Sequence, residues 1–98
     1  MANIEFSEPI EFEWDEHNRA KLRLRHNISS EEAEQLFIND HSVFFDVKHS
    51  IAERRYQLLG SSNSGRILFI VFTIRKNKIR IISARSAGKK ERSNYEKT

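Results

Sequence analysis

The chain has 98 residues and no cysteine; 38% of the residues are hydrophobic and 32% are charged. A chain of this length and composition fills one domain with one modest core and is not typical of a disordered protein. The lack of cysteine excludes a disulfide scaffold, and no run approaches the roughly 18 consecutive apolar residues of a membrane-spanning helix. The net charge of +3 is unevenly distributed along the chain. Residues 1–53 contain five Lys/Arg and twelve Asp/Glu, whereas residues 54–98 contain twelve Lys/Arg and two Asp/Glu.

The first predicted element is a short strand over residues 10–14, where Ile10, Phe12 and Trp14 alternate with glutamates. Asp15 is a good N-cap for a helix through residue 26, and Asn27 is a good left-handed C-cap. Phe12 and Trp14 are expected to pack in the core rather than to stack on bases.

A capping box predicts the second helix over residues 30–38. Ser29 stands at the N-cap and Glu32 at the third helical position, with apolar Ile28 just outside. Ala33, Leu36 and Phe37 share one face of this helix. The segment at residues 43–48 is ambiguous, and it fits either a short strand or an apolar plug in a loop.

The second half predicts a three-stranded antiparallel meander over residues 53–59, 66–74 and 79–84, followed by a basic helix over residues 89–96. Turn residues separate the first two strands, and a tight turn at residues 75–78 joins the last two. The sequence therefore predicts an α+β fold in the order β-α-α-β-β-β-α, in which helices cover one face of an antiparallel sheet and leave the other partly open.

The uneven charge suggests that the basic half contacts a polyanion and that the acidic half contacts a basic partner. The alternative is that the two halves neutralise each other within one fold. The acidic amino terminus does not resemble a signal peptide, and the expected location is the cytoplasm.

Familiar catalytic motifs are missing from the sequence. It has no phosphate-binding glycine loop and no nucleophile elbow, and its four histidines do not have metal-site spacing. No metal or cofactor is therefore expected.

The remaining candidates are arginines in or beside the predicted strands: Arg54, Arg66, Arg80 and Arg85. On the last strand, simple alternation puts Arg80 on the face of Ile82 and Ala84 and puts Arg85 on the opposite face. A guanidinium group binds phosphate oxygens in bidentate fashion and is always charged. Such groups can stabilise the transition state when a 2′-hydroxyl attacks the adjacent phosphate of RNA.

Metal-free RNA cleavage also needs groups that transfer protons. The candidates are His26, His49, Tyr56 and Tyr95, and histidine has the better-matched pKa at neutral pH. Each residue also has a more ordinary explanation. Strand-end arginines are usually solvated, His26 suits a helix C-terminus, and the cluster formed by Arg85, Lys89, Lys90 and Arg92 suits general contact with a polyanion.

Three blocks in order resemble the BrnT family of bacterial toxins, over about residues 10–97. The first is FEWD at residues 12–15 with Arg25-His26 and the second helix start. The second is Glu53-Arg54 with the segments at residues 59–60 and 65–68. The third is IRIISAR at residues 79–85, followed by Glu91-Arg92 and Tyr95-Glu96.

This resemblance implies a RelE-like fold and a ribonuclease that arrests translation. It also implies neutralisation by a BrnA-type antitoxin with a ribbon-helix-helix domain, so that operator DNA is contacted only through the antitoxin, in a hetero-oligomer that can contain a toxin dimer. By position, it implies five catalytic residues: His26, Arg54, Arg80, Arg85 and Tyr95. Arg66, Lys89, Lys90 and Arg92 are the expected RNA contacts.

The leading hypothesis is therefore a metal-independent endoribonuclease. A non-catalytic nucleic-acid-binding module would use the same basic surface, and a regulatory subunit that only binds an antitoxin is a third alternative. Activity on RNA in excess EDTA separates the first hypothesis from the others.

Overall fold

A computed structural model describes residue 6 and residues 9–96 of the chain. Three helices and four strands follow one another in an α+β arrangement: α1 (Glu16–His26), α2 (Ser30–Ile38), β1 (His41–Phe45), β2 (Tyr56–Ser61), β3 (Ile67–Arg75), β4 (Lys78–Ser86) and α3 (Lys89–Glu96). The three predicted helices are confirmed, and the three predicted strands of the second half are confirmed with shifted ends.

The sheet is an antiparallel meander with the spatial order β1-β2-β3-β4. The ambiguous apolar segment forms β1, so the meander has four strands rather than three. Between β3 and β4, Lys76 and Asn77 have φ of 50° and 66°. Two successive left-handed residues make the tight turn that matches the twist of a hairpin.

The predicted strand at residues 10–14 is wrong. Phe12 forms one isolated parallel bridge with Ile79, through hydrogen bonds of 2.8 Å from the Glu13 amide to the Ile79 carbonyl and from the Ile79 amide to the Glu11 carbonyl. The chain then turns into α1, so the alternating pattern reflects one side packed on the core without a ladder of strand hydrogen bonds. The order over the described residues is α-α-β-β-β-β-α.

Local capping explains where the first two helices begin and end. The Asp15 carboxylate accepts from the Asn18 amide at 2.7 Å, and Asn27 closes α1 with φ 53° and ψ 43°. The Ser29 hydroxyl accepts from the Glu32 amide at 3.1 Å, which confirms one half of the predicted capping box. The Glu32 carboxylate instead accepts from the hydroxyls of Ser62 and Ser64 in the loop before β3 and from Arg66. These bonds connect α2 to the sheet.

α1 and α2 cover one face of the sheet and enclose the core. The buried side chains there include Leu36, Phe37, Ile70 and Phe72, and the rings of Phe37 and Phe72 meet edge to face with centroids 5.1 Å apart. Phe12 and Trp14 pack against this cluster, as expected from the sequence. The helix-covered face therefore holds the core, and any polar site on the sheet lies on its other face.

Candidate active face

The face of the sheet opposite the core is called the open face below. On β3, Leu68, Ile70 and Phe72 point into the core, so Phe69, Val71 and Thr73 point to the open face. The strand register places the following residues on the same face: Phe44, Gln57, Val71, Thr73, Arg80, Ser83 and Arg85.

A β-bulge brings Arg80 and Arg85 to this one face, which corrects the expectation that they lie on opposite faces. Phe72 pairs with Ile81, but the preceding Val71 pairs with Ser83, so Ile82 is an extra residue in β4. Because a bulge shifts the alternation by one position, Arg80 lies opposite Thr73 and Arg85 lies opposite Phe69. Thr73 and Phe69 are four positions apart on β3, which corresponds to about 13 Å along the strand.

Arg80 is held by two carboxylates at the β4 edge of the sheet. Its Nη1 donates to Glu13 at 3.0 Å and its Nη2 donates to Asp15 at 2.9 Å, and its side chain stays 26% exposed. Asp15 is the N-cap of α1, and the Asn18 amide and Arg80 together lower the pKa of this carboxyl. The cap of a helix and the placement of an open-face arginine therefore depend on the same side chain.

Arg85 is held by α3. Both of its terminal nitrogens donate to Glu91, at 2.7 and 2.9 Å, and its guanidinium lies over the ring of Phe69, 4.4 Å from the centroid. This hydrogen bond to Glu91 raises the pKa of Arg85 and lowers the pKa of Glu91. The Gly88 amide also donates to Glu91 at 2.8 Å, so the first turn of α3 fixes the arginine in position.

Two further arginines of this face were missed from the sequence. Arg75, at the end of β3, donates two hydrogen bonds of 3.0 and 2.9 Å to Glu53. Arg55 directly precedes β2, and continuing the strand register by one residue puts it opposite Thr73. The pKa of Glu53 is lowered chiefly by its hydrogen bond with Arg75, with smaller electrostatic contributions from Arg55 and Arg80. Arg75 therefore binds Glu53 at one end of the open face, and Arg55 and Arg80 lie near enough to contribute to its electrostatics.

The ribonuclease toxin family BrnT, of type II toxin–antitoxin systems, matches residues 14–91. The chain belongs to the BrnT family. It is accordingly a ribonuclease toxin, and membership of a type II system implies a protein antitoxin that neutralises it. No curated protein matches the chain. Among the described residues, no helix has the length and apolar character required to cross a membrane.

The structure of this BrnT toxin separates the residues predicted to act together. His26 is exposed at the carboxyl end of α1, and Asp15, which binds Arg80, stands at the other end. His26 is the eleventh residue of the helix that Asp15 caps, so about 16 Å of helix separates the two. His26 and Arg80 are therefore not brought together.

Arg66 contacts the helix side rather than the open face. Its Nη1 donates to the Asn27 carbonyl and to Glu32, both at 3.1 Å, and its Nη2 lies 3.4 Å from the His26 carbonyl. These bonds fasten the carboxyl end of α1 to the start of β3. Any contact between Arg66 and RNA would come in addition to this structural connection.

The other predicted residues lie around the rim of the sheet. Arg54 is exposed before β2, and its carbonyl accepts from the Thr73 hydroxyl at 2.7 Å. The Tyr95 hydroxyl lies 3.3 Å from the Ser61 hydroxyl and donates to the Asp40 carbonyl at 3.1 Å, so it connects α3 to the opposite end of the sheet from Arg80. Lys89, Lys90 and Arg92 are exposed on α3.

Part of the charge division is neutralised within the fold. Arg66, Arg75 and Arg80 all pair with carboxylates of the acidic half. The alternative reading of the charge pattern is therefore correct for these arginines. The open-face guanidinium groups are held in defined positions by these pairs. Each guanidinium has five N–H donors, so some donors remain available for a ligand.

Proposed function

We propose that the chain cleaves RNA without a metal ion and that the open face is its active face. The observation that carries this proposal is the bulge at Ile82, which places Arg80 and Arg85 on one side of a rigid sheet, with Arg55 and Arg75 nearby. A row of fixed cations suits a polynucleotide, whose phosphates repeat along the chain.

The ion pairs of these arginines are compatible with binding phosphate. Arg80 uses two N–H groups on its carboxylates, and the remaining groups can donate to a phosphate oxygen. The carboxylates hold the guanidinium in place beforehand, which avoids the cost of reorganisation when charge develops in the transition state. Arginine stabilises this charge, whereas proton transfer requires another group.

The roles of the other predicted residues follow from their positions. The exposed cations of α3, which are Lys89, Lys90 and Arg92, are proposed to bind RNA outside the reacting phosphate. The same role is proposed for Arg54, for which the family resemblance implies a catalytic role. Catalytic roles for His26 and Tyr95, and an RNA contact at Arg66, stay predictions. His26 is on the helix side of the molecule, and Tyr95 and Arg92 lie beyond the segment that matches the family.

The test is RNA cleavage in excess EDTA by the unaltered chain, Arg80→Ala and Arg85→Ala. Because removing one preorganised donor to transition-state charge costs about 10²–10³-fold in rate, each variant should lose activity to that extent. Arg23→Ala, which removes an exposed arginine from α1, is the matched control and should cleave at the rate of the unaltered chain. The products should carry 5′-hydroxyl and 2′,3′-cyclic phosphate ends.

Other results would favour the alternatives. Cleavage that needs a divalent cation contradicts the metal-free mechanism. Retention of RNA without new ends supports a non-catalytic binding module, and the salt dependence of that binding would then count its phosphate contacts. Antitoxin binding without any effect on RNA supports a regulatory subunit.

We also propose that the antitoxin is a BrnA-like ribbon-helix-helix protein, that the toxin acts in the cytoplasm by arresting translation, and that its topology is RelE-like. A predominantly apolar contact surface is supported by β1, an edge strand with exposed Phe44 and Phe45, and by Val47 and Ile51 in the loop that follows it. Co-purification with the product of the adjacent reading frame would support this partner. A stable, non-toxic chain expressed alone would contradict the arrest of translation by this chain.

A further inference from the structure

The loop that follows β1 holds a histidine against a buried carboxylate. Asp46 is only 6% exposed, and both of its carboxylate oxygens lie 3.1 Å from Nδ1 of His49. The backbone amide of His49 also donates to Asp46, at 3.3 Å. The side chain of His49 is nevertheless 58% exposed. The imidazole is therefore fixed at one nitrogen while much of the ring remains accessible.

The carboxylate determines which ring nitrogen carries hydrogen. Burial raises the pKa of Asp46, but hydrogen bonds from His49 and Gln57 outweigh it, and the pKa lies below its ordinary value of 3.8. An ionised carboxylate can only accept, so Nδ1 of His49 is the donor. In the neutral imidazole, Nε2 then has a free lone pair and can take up a proton.

A second set of hydrogen bonds fixes the loop around this pair. The Ser50 hydroxyl donates to the Asp46 carbonyl and accepts from the Arg55 amide at 2.9 Å. The Asp46 amide donates to the Arg55 carbonyl, also at 2.9 Å, and continues the pairing of β1 with β2 by one residue. The histidine is therefore attached to the sheet through a closed loop, which limits its movement relative to the arginines.

The pair lies at the same end of the open face as Glu53 and the arginines near it. Continuing the register puts Asp46 opposite Arg55, Arg55 opposite Thr73, and Thr73 opposite Arg80. Neighbouring strands are about 4.8 Å apart, so Arg55 is one strand from Asp46, and Arg80 is about 14 Å from it. Gln57, which is also on the open face, contributes to lowering the pKa of Asp46.

We propose that His49 is the general base for RNA cleavage on this face and that Asp46 is its positioning residue. This inference rests on the proposed function. His49 Nε2 takes the proton of the 2′-hydroxyl as the 2′-oxygen forms its bond to phosphorus. The bond between phosphorus and the 5′-oxygen breaks, and the 5′-oxygen leaves with the electron pair and takes a proton from water. A 2′,3′-cyclic phosphate and a 5′-hydroxyl result, while the open-face arginines, of which Arg55 lies nearest to the pair, stabilise the charge on the phosphate.

The experiment compares single-turnover cleavage of RNA by the full chain, His49→Gln and Asp46→Asn. Glutamine keeps a donor for Asp46 but cannot act as a base, so His49→Gln should slow cleavage about 10²–10⁴-fold. Asp46→Asn should also slow it, by up to about 10⁴-fold, because the imidazole loses the acceptor that keeps hydrogen on Nδ1 and leaves Nε2 free. His17→Gln, which changes an exposed histidine of α1, is the control and should cleave normally.

Two further readouts distinguish a base from a structural residue. Both variants should bind RNA with a 2′-deoxy group at the cleavage position within about twofold of the unaltered chain, because the loss lies in the chemical step. A substrate whose leaving 5′-oxygen is replaced by sulphur needs no proton on its leaving group. The His49→Gln defect should persist on that substrate, and its disappearance would overturn the assignment of His49 as the base.

Failure of this inference can be told apart from failure of the proposed function. If the unaltered chain cleaves and His49→Gln cleaves at a similar rate, His49 is not the base, although the open face stays the candidate active face. If cleavage requires Mg²⁺, metal independence is wrong, and the same rate ratios measured with Mg²⁺ still decide the role of His49. A loss of RNA binding equal to the loss of cleavage would also overturn the proposal.

Discussion

The two faces of the sheet are formed by the same four strands but differ in burial and charge. The helix-covered face is apolar and almost completely buried, with Leu58, Ile70 and Phe72 at zero exposure. The open face has charged side chains whose partners are other surface groups, such as Arg80 with Glu13 and Arg85 with Glu91. Burial of apolar area dominates folding free energy, whereas exposed ion pairs contribute little. Stability therefore resides on the covered face, and the open face is free to serve function.

The largest effect on stability should come from the covered face. Phe72→Ala removes a fully buried ring in contact with the rings of Phe37 and Tyr56, and it should lower the free energy of unfolding by about 3–5 kcal/mol. Val71→Ala, one residue earlier on the open face, is the matched control and should cost clearly less. Urea denaturation measures both variants, and equal losses would show that the two faces contribute alike.

A smaller effect should follow from removing the cap of α2. The hydroxyl of Ser29 accepts from the Glu32 amide at 3.1 Å, so Ser29→Ala should cost about 1 kcal/mol of stability. Ser83→Ala on the exposed part of the open face caps no helix and should change stability by less than about 0.5 kcal/mol. A cost at Ser83 as large as that at Ser29 would mean that the open face also carries stability.

The smallest effect on stability, counted for each carboxyl group, should come from lowering the pH. The pKa values of Asp15, Asp46, Glu53 and Glu91 are all lowered by their partners. A lowered pKa in the folded state gives stability that is present above the ordinary pKa and is lost as the pH falls through the folded value. Unfolding free energy should therefore be flat near neutral pH and decline below the ordinary values of 3.8 and 4.5.

Thermal unfolding from pH 7 to pH 2 in low and high salt checks this prediction. Salt should weaken the exposed pairs at pH 7 only slightly, because solvent already screens them. Asp46→Asn should remove part of the decline in acid. A rise in stability as the pH falls would contradict the assignment of lowered pKa values to these carboxylates.

The helices were accessible from the sequence because their signals are local. Asp15, Asn27 and Ser29 act within a few residues of the helix ends, and the structure uses all three as predicted. The failed strand at residues 10–14 shows the limit of such signals, because alternation reports which side chains are buried and not whether a neighbouring strand continues beside them. The same limit left β1 ambiguous, since its pairing with β2 spans the whole loop that contains His49.

The candidate site was only partly predictable. Arg80 and Arg85 were named as candidates because they lie in or beside a predicted strand, but alternation put them on opposite faces. The bulge at Ile82, which brings them to one face, depends on the register of β4 against β3. Arg75 was assigned to a turn, and Arg55 was passed over beside Arg54. Asp46 and His49 are only three residues apart in sequence, so their contact is local. Its relevance to the candidate site depends on Asp46 lying opposite Arg55, which is a matter of strand register.

The sequence by itself determined the class of fold, the helix boundaries, the hairpin turn and the family to which the chain belongs. These depend on short-range capping, on the spacing of apolar residues and on motifs in a fixed order. Only the tertiary structure decided which arginines share a face, which carboxylates hold them and where the histidines lie. Those facts depend on strand register and on one extra residue in β4, and the free energy that sets the register comes from packing between segments far apart in the chain.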